Sequence, residues 1–155
     1  MIRGKNGTGK STLLSTLLRI TPIAGGTIRV PVSWNEQGVI GFIPQEIPVF
    51  PGTLRDNLSL GLQHNDEQLL RTPEYLDWHQ ASLDVAYERM QLSGGQRQRI
   101  GVARVLLGGP YRAILVDEME AGVDNPSRLI VALRRAAPLL IVISHSSVCG
   151  RPMMH

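Results

Sequence analysis

The first eleven residues carry the pattern that most limits what this chain can fold into. Gly4, Gly9, Lys10 and Ser11 have the spacing G-x-x-x-x-G-K-[ST]. In this pattern the glycines let backbone N–H groups curl around phosphates, the lysine reaches the terminal phosphates, and the hydroxyl holds Mg²⁺. The leucine-rich segment that follows has helical spacing. A phosphate loop that leads into a helix predicts a nucleotide site at the start of the chain.

The rest of the chain alternates short apolar runs with helical segments. The runs that predict strands are "GGTIRV" (25–30), "VIGFIP" (39–44), "AILVDE" (113–118) and "LLIVIS" (139–144). Helices are predicted from the phosphate loop to Thr21-Pro22, over 94–107 and from Pro126, with short helices between 65 and 90. This alternation predicts an α/β fold whose sheet is mostly parallel and flanked by helices.

Size, charge and cysteine content narrow the class of protein further. The chain has 155 residues, the size of one ordinary domain, and a formal net charge of +3. Its basic residues are spread along the sequence rather than clustered, so no nucleic-acid partner is expected. The single cysteine, Cys149, excludes an internal disulfide. No apolar run approaches the ~20 residues of a membrane helix.

Two carboxylates follow the predicted strand at 113–116. Asp117 and Glu118 come directly after its four apolar residues. Carboxylates at the end of a strand in a phosphate-loop protein have two distinct uses. Asp117 can hold Mg²⁺, usually through water, and Glu118 is placed to orient or deprotonate an attacking water.

A second anion site is predicted far from the first in sequence. Residues 92–100 read "LSGGQRQRI", in which Ser93 and Gln96 have the spacing of a capping box. Gly94 and Gly95 let a ligand approach the backbone closely. The free N–H groups and the dipole of a helix N-terminus favour negative charge, so the chain carries two predicted phosphate sites.

The order of these motifs resembles the nucleotide-binding domain of ABC transporters, and of their exporter branch in particular. The phosphate loop at 4–12 (Walker A) is followed by Gln45 in "IPQE", the signature "LSGGQ", "ILVDE" (Walker B), Asp124 and His145. The resemblance implies a P-loop NTPase core and a small helical subdomain that carries the signature. We expect a single domain over 1–155, with 1–46 and 108–155 as catalytic core and approximately 47–107 as helical subdomain.

The resemblance also implies ATP and Mg²⁺ as cofactors and gives each matching residue a role. Glu118, Gln45 and His145 would be catalytic, and Ser11, Gln45 and Asp117 would hold the metal. The residues that would contact nucleotide are Gly4, Asn6, Gly7, Thr8, Gly9, Lys10, Ser11, Thr12, Ser93, Gly94, Gly95, Gln96 and Asp124.

The same resemblance accounts for the two anion sites. In the family, two such domains dimerise head to tail, and the phosphate loop of one and the signature of the other enclose one ATP. The implied partners are therefore a second ABC ATPase domain and the transmembrane domains of a transporter. The implied location is the cytoplasmic face of a membrane, reached through the membrane-spanning partner.

Departures from the family pattern leave alternatives open. Only Met1, Ile2 and Arg3 precede Gly4, and ten residues follow His145, so we expect a domain shortened at both ends. "DEMEAGVD" replaces the common "DEPTSALD". The first hypothesis is an ATPase that drives an exporter, with the activity of this chain alone in doubt. The alternative is a catalytically weak remnant that binds only nucleotide or a partner. A soluble ABC-type ATPase acting on DNA is disfavoured, because no long heptad segment separates the motifs.

Overall fold

The computed structural model describes residues 1–5, 7–36, 38–75, 82–86, 92–118 and 126–144, without the side chains of 35, 71–75 and 126. Five α-helices and three β-strands are formed there, together with a 3₁₀ helix, Val32–Asn35. In chain order the elements are α1 (Lys10–Leu17), β1 (Ile40–Ile43), α2 (Leu54–Ser59), α3 (Asp66–Tyr75), α4 (Gly94–Gly108), β2 (Ala113–Asp117), α5 (Pro126–Ala136) and β3 (Leu139–Ile143).

The three strands form one parallel sheet in the order β1-β2-β3. In the register, Ile40 lies opposite Ala113, and Ala113 lies opposite Leu139. Ile2 extends the sheet beyond β3 through a parallel bridge to Ile143, with its amide donating to the carbonyl of Val142 at 2.8 Å. The phosphate loop therefore begins at the carboxyl end of the sheet, where ligands of open α/β sheets bind.

Alternate residues of the central strand β2 face two different layers. Leu115 is fully buried with Leu14 of α1 and Ile143 of β3. Ile114 and Val116, the neighbours of Leu115, are buried in the larger cluster that includes residues of α4 and α5. A parallel sheet covered on both faces explains why β2 is an uninterrupted apolar run.

The larger cluster extends beyond the sheet into the helical segments. It contains Leu54 and Leu58 of α2, Leu69 of α3, and Leu83 and Leu92 from the intervening segments, all less than 6% exposed. Helix α4 packs against β1 as well as α2, α3 and α5. The helix that begins with the signature motif is therefore built into the same core as the sheet.

Two expectations about local structure were wrong. Residues 25–30 form no strand, because the β-branched run pairs with no neighbouring strand among the described residues, and a strand is stable only when it is paired. Helix α1 ends at Leu17, with Arg19 in the left-handed region at φ 60°, rather than at Thr21-Pro22.

The predicted helices over 94–107 and from Pro126 are confirmed, as is the α/β class with a parallel sheet. Within the residues that the structure describes, none of the helices combines the length and the apolar character that crossing a bilayer would take.

Candidate nucleotide-binding site

The phosphate loop has the backbone that its glycines permit. Gly7 and Gly9 adopt positive φ angles of 77° and 83°, and a Cβ atom at either would meet nothing within 4 Å. Gly9 is also the N-cap of α1, and among the described residues no side chain caps that helix end. The first N–H groups of α1 are thus left to a ligand, and a helix N-terminus favours an anion.

Lys10 is folded back onto its own loop. Its ammonium group donates to the carbonyl oxygens of Gly4 at 2.9 Å and Lys5 at 2.8 Å, and the residue is 9% exposed. Both of these acceptors are neutral, so no carboxylate compensates the Lys10 charge through these bonds. A cation held near the surface on neutral oxygens is a site to which phosphate oxygens are attracted.

The phosphate loop and strand β2 meet at Ser11 and Asp117. The Ser11 hydroxyl donates to Oδ1 of Asp117 at 3.0 Å, across 106 residues of sequence. A hydroxyl and a carboxylate in contact are hard oxygen ligands of the kind that Mg²⁺ prefers. The residues present therefore fit a Mg²⁺ ion, with these two side chains as its protein ligands or as holders of its waters.

A second contact joins the ends of β1 and β2. The side-chain amide of Gln45 donates to Oε2 of Glu118 at 3.0 Å. Glu118 has a φ of 63°, in the left-handed region that non-glycine residues rarely occupy and that costs about 1–3 kcal/mol. Such strain at a carboxylate next to the Ser11–Asp117 pair is typical of functional sites.

The signature motif forms the capping box that its spacing predicts. Ser93 Oγ accepts from the amide of Gln96 at 3.2 Å, and Gln96 Oε1 accepts from the amide of Ser93 at 2.8 Å. Gly94 begins α4 and Gly95 is buried. Each of these two polar side chains thus accepts from the backbone amide of the other residue.

The remaining predicted residues stand as follows. Gly4 and Thr8 lie in the loop, where Thr8 Oγ1 donates to the carbonyl of Lys5 at 2.9 Å, and Thr12 lies in the first turn of α1. Asn6, Asp124 and His145 lie outside the described residues.

Sequence reasoning missed two residues that contact the segment after Gln45. Asn57 is 1% exposed, and Arg104 donates three hydrogen bonds from its guanidinium group. Burial lowers the pKa of Arg104 below its ordinary value. The available signal was weak, since Arg104 is one of three arginines in α4 and Asn57 belongs to no motif.

A family model described as "ABC transporter" matches residues 1–121 of this chain. The chain therefore belongs to the ABC transporter family, and its motifs are those of the nucleotide-binding domain, as the sequence predicts.

Three relatives show the branch of the family. A "Multidrug resistance ABC transporter ATP-binding and permease protein" of Lactococcus lactis subsp. cremoris is 33% identical over 147 residues, which cover 83% of this chain and 24% of the relative. A "Putative export ATP-binding/permease protein" of Rickettsia bellii is 32% identical over 160 residues, covering 92% of this chain and 28% of that protein. The "Alpha-factor-transporting ATPase" of Saccharomyces cerevisiae is 32% identical over 164 residues, covering 94% and 13%.

These relatives are exporter-type proteins, in agreement with the predicted branch. The chain spans less than a third of the length of each of them.

Proposed function

We propose that this chain binds Mg²⁺ and ATP and hydrolyses ATP as the nucleotide-binding domain of an exporter-type ABC transporter. The observation that carries the proposal is the convergence of two contacts at the carboxyl end of the sheet, Ser11 with Asp117 and Gln45 with Glu118. These four side chains come from three segments of the chain, and they supply a metal site and an acid–base group side by side.

Each residue then has one task. The loop amides at Gly7 and Gly9 and the ammonium of Lys10 bind and orient the phosphates. Ser11 and Asp117 hold the metal, whose charge neutralises the phosphate oxygens when it is bound. Glu118 accepts a proton from water or orients it, and Gln45 fixes the direction of the Glu118 carboxylate. Gly4 and Thr8 complete the loop, Thr12 lies in the first turn of α1, and Asn6 is assigned to the nucleotide by the resemblance.

The second predicted anion site is assigned to a partner's nucleotide. The capped N-terminus at Ser93, Gly94, Gly95 and Gln96 would face the phosphates bound by a second ABC ATPase domain. The capping box supports this assignment, because it keeps the N-terminus of α4 helical before a ligand binds. Asp124 keeps its implied role as a nucleotide contact, and His145 its implied catalytic role.

The wider setting follows from the relatives. Two of the three names above contain "ATP-binding" together with "permease". We extend this to the present chain, with transmembrane domains as partners and the cytoplasmic face of a membrane as its location. Within the chain, 1–46 and 108–155 would act as catalytic core and about 47–107 as helical subdomain.

Replacement of the phosphate-loop lysine tests the proposal. Lys10→Ala should abolish saturable binding of a fluorescent ATP analogue, because it removes the cation committed to the phosphates. The matched control is Lys5→Ala. The Lys5 side chain is exposed and only its backbone carbonyl contacts Lys10, so this variant should bind like the parent. Equal affinity of Lys10→Ala and the parent would contradict the phosphate-loop assignment. Binding without phosphate release would favour the alternative, a nucleotide-binding remnant.

A further inference from the structure

A partly buried polar junction links helix α4 to the segment that carries Gln45. Arg104 Nε donates to the carbonyl of Asn57 at 2.6 Å, Nη1 donates to the carbonyl of Pro48 at 2.6 Å, and Nη2 donates to Asn57 Oδ1 at 3.1 Å. The guanidinium also lies 5.7 Å from the centre of the Phe50 ring. One side chain of α4 therefore holds both the segment after β1 and the last turn of α2.

Asn57 completes this junction from the other side. Its amide group donates to the carbonyls of Phe50 at 2.9 Å and Thr53 at 3.0 Å, and its Oδ1 accepts from the amide of Phe50 at 2.9 Å. The Asn57 side chain thus bonds both the amide and the carbonyl of Phe50, as a neighbouring strand would. Among the described residues, the segment around Phe50 pairs with no strand. Because Asn57 is 1% exposed, losing a partner would leave a buried polar group unsatisfied.

Apolar packing holds the same segment one turn earlier on α4. A Cβ atom at Gly101 would lie 2.5 Å from Cδ1 of Ile47, so Ile47 sits directly against the helix backbone. Gly101 and Arg104 are three residues apart and share a face of α4. The segment from Gln45 to Phe50 thus runs along α4 and is fixed to it at Ile47 and Pro48, two and three residues after Gln45.

The geometry points to Arg104 and Asn57 as positioning residues that tie the Gln45–Glu118 contact to helix α4. A displacement of α4, which begins at the signature motif, is then passed through the junction to the Gln45 amide and so to the Glu118 carboxylate. The inference rests on the proposed function for its consequence in catalysis. The coupling itself needs no nucleotide and can be measured without it.

The direct test follows the Gln45 side-chain amide by NMR in protein labelled with ¹⁵N only at glutamine. Gln45→Met identifies the signal by its loss. Glu118→Asn gives the position of a released Gln45, because asparagine tolerates a left-handed φ but is too short to keep the bond. Arg104→Met should move the Gln45 signal most of the way to that released position.

Arg55→Met is the matched control. Arg55 lies on α2, the helix of Asn57, and pairs with Asp66 and Asp84. Its loss disturbs α2 but removes no hydrogen bond of the junction, so the Gln45 signal should stay in place. Asn57→Asp, which keeps the acceptors and removes the donors, should move the signal in the same direction as Arg104→Met. Should Arg104→Met fail to fold, Arg104→Lys replaces it. An ammonium keeps the charge but cannot reproduce three bonds from a planar fork, so the Gln45 signal should still move, by less than in Arg104→Met.

Catalysis supplies an independent readout. Arg104→Met should lower the rate of phosphate release by roughly 10- to 100-fold, as expected for a misplaced reacting group, with the affinity for nucleotide unchanged. In a Gln45→Ala background the same substitution should have little further effect. A Gln45 signal that stays in place in folded Arg104→Met and Asn57→Asp, while it moves in Glu118→Asn, would overturn the coupling. Failure of the protein to bind nucleotide would overturn the proposed function and leave the NMR result standing.

Discussion

At the scale of single residues, the polar groups of the candidate site are hydrogen-bonded to one another or to nearby backbone. The Lys10 ammonium is bound to loop carbonyls, the Ser11 hydroxyl to Asp117, and the Gln45 amide to Glu118. Each of these bonds can be exchanged for one to a phosphate, a metal ion or a water without leaving a buried charge. The polar groups are therefore held in place before any ligand arrives, which lowers the cost of ordering them on binding.

Substitution of the strained carboxylate separates binding from turnover. Glu118→Gln keeps the shape of the side chain and an oxygen that can accept from Gln45, but it removes the base. We expect ATP affinity within a factor of about two to three of the parent, and a loss of turnover of at least roughly 100-fold. Phosphate release and nucleotide titration measure the two quantities, and size-exclusion chromatography with ATP should show an accumulated dimer. Parent-like turnover would place the base elsewhere, for example at His145.

At the scale of elements, α2 depends on a cap that titrates. The side chain and backbone amide of Thr53 donate to Asp56 Oδ2 at 2.7 and 2.8 Å. These hydrogen bonds, the side-chain bond first, hold the pKa of the Asp56 carboxyl below its ordinary value of 3.8. A carboxyl whose pKa is lower in the folded state stabilises the fold above its unfolded pKa, and this contribution is lost as the pH falls through the folded value.

Asp56→Asn should therefore destabilise the protein at neutral pH and lose its effect in acid. The difference in unfolding free energy between parent and variant should be constant above about pH 5 and should shrink as the pH falls below 3.8. Urea unfolding at several pH values measures it. Asp84→Asn is a suitable control, because Asp84 is exposed and contacts Arg55 rather than a helix cap. A difference that does not change with pH would show that the carboxylate charge is not what caps α2.

The packing of α4 on the segment after β1 can be tested at one glycine. Gly101→Ala gains about 1 kcal/mol in helix propensity, but its methyl group would collide with Ile47, and overpacking costs typically 1–3 kcal/mol. We expect a net loss of about 1 kcal/mol in unfolding free energy.

The compensating change is Ile47→Val, which deletes the colliding Cδ1 atom. Alone, Ile47→Val should cost about 0.5–1.5 kcal/mol of unfolding free energy. The loss in the double variant should be smaller than the sum of the losses in the two single variants. Strict additivity in denaturant unfolding would show that Gly101 and Ile47 are not in the close contact described here.

At the scale of the whole molecule, the two anion sites of one chain are proposed to act on two different nucleotides. The N-terminus of the signature helix is capped by its own Ser93 and Gln96, and the Lys10 ammonium donates to a carbonyl of its own phosphate loop. Hydrolysis should therefore require two copies, and the rate per molecule should fall on dilution.

Complementation between two inactive variants tests this requirement. Lys10→Ala lacks a working phosphate loop, and Ser93→Arg places a bulky cation in the signature. Each alone should be inactive, whereas an equal mixture should recover about a quarter of the parent rate, because about half of the dimers are mixed and each has one intact composite site of two. Phosphate release from the mixture measures the recovery. A mixture as inactive as its components would exclude a shared site, and parent-like turnover by Ser93→Arg alone would remove the signature from catalysis.

The sequence by itself determined the class of fold and predicted most of the residues of the candidate site. The phosphate loop, the buried strand before Asp117 and the Ser93 capping box are local patterns, since spacing alone fixes which backbone groups and side chains can meet. They also carried the family, which the comparison over residues 1–121 confirms.

Tertiary structure decided what depends on neighbours distant in sequence. Residues 25–30 had the composition of a strand but no partner strand within the described part of the chain, and α1 ended before its proline signal. The contacts of Ser11 with Asp117 and Gln45 with Glu118 arise only because parallel strands end at one edge of the sheet. Arg104 and Asn57 belong to no motif, and their hydrogen bonds to the segment after Gln45 follow from the packing of α4 on α2 and β1, which no local pattern contains.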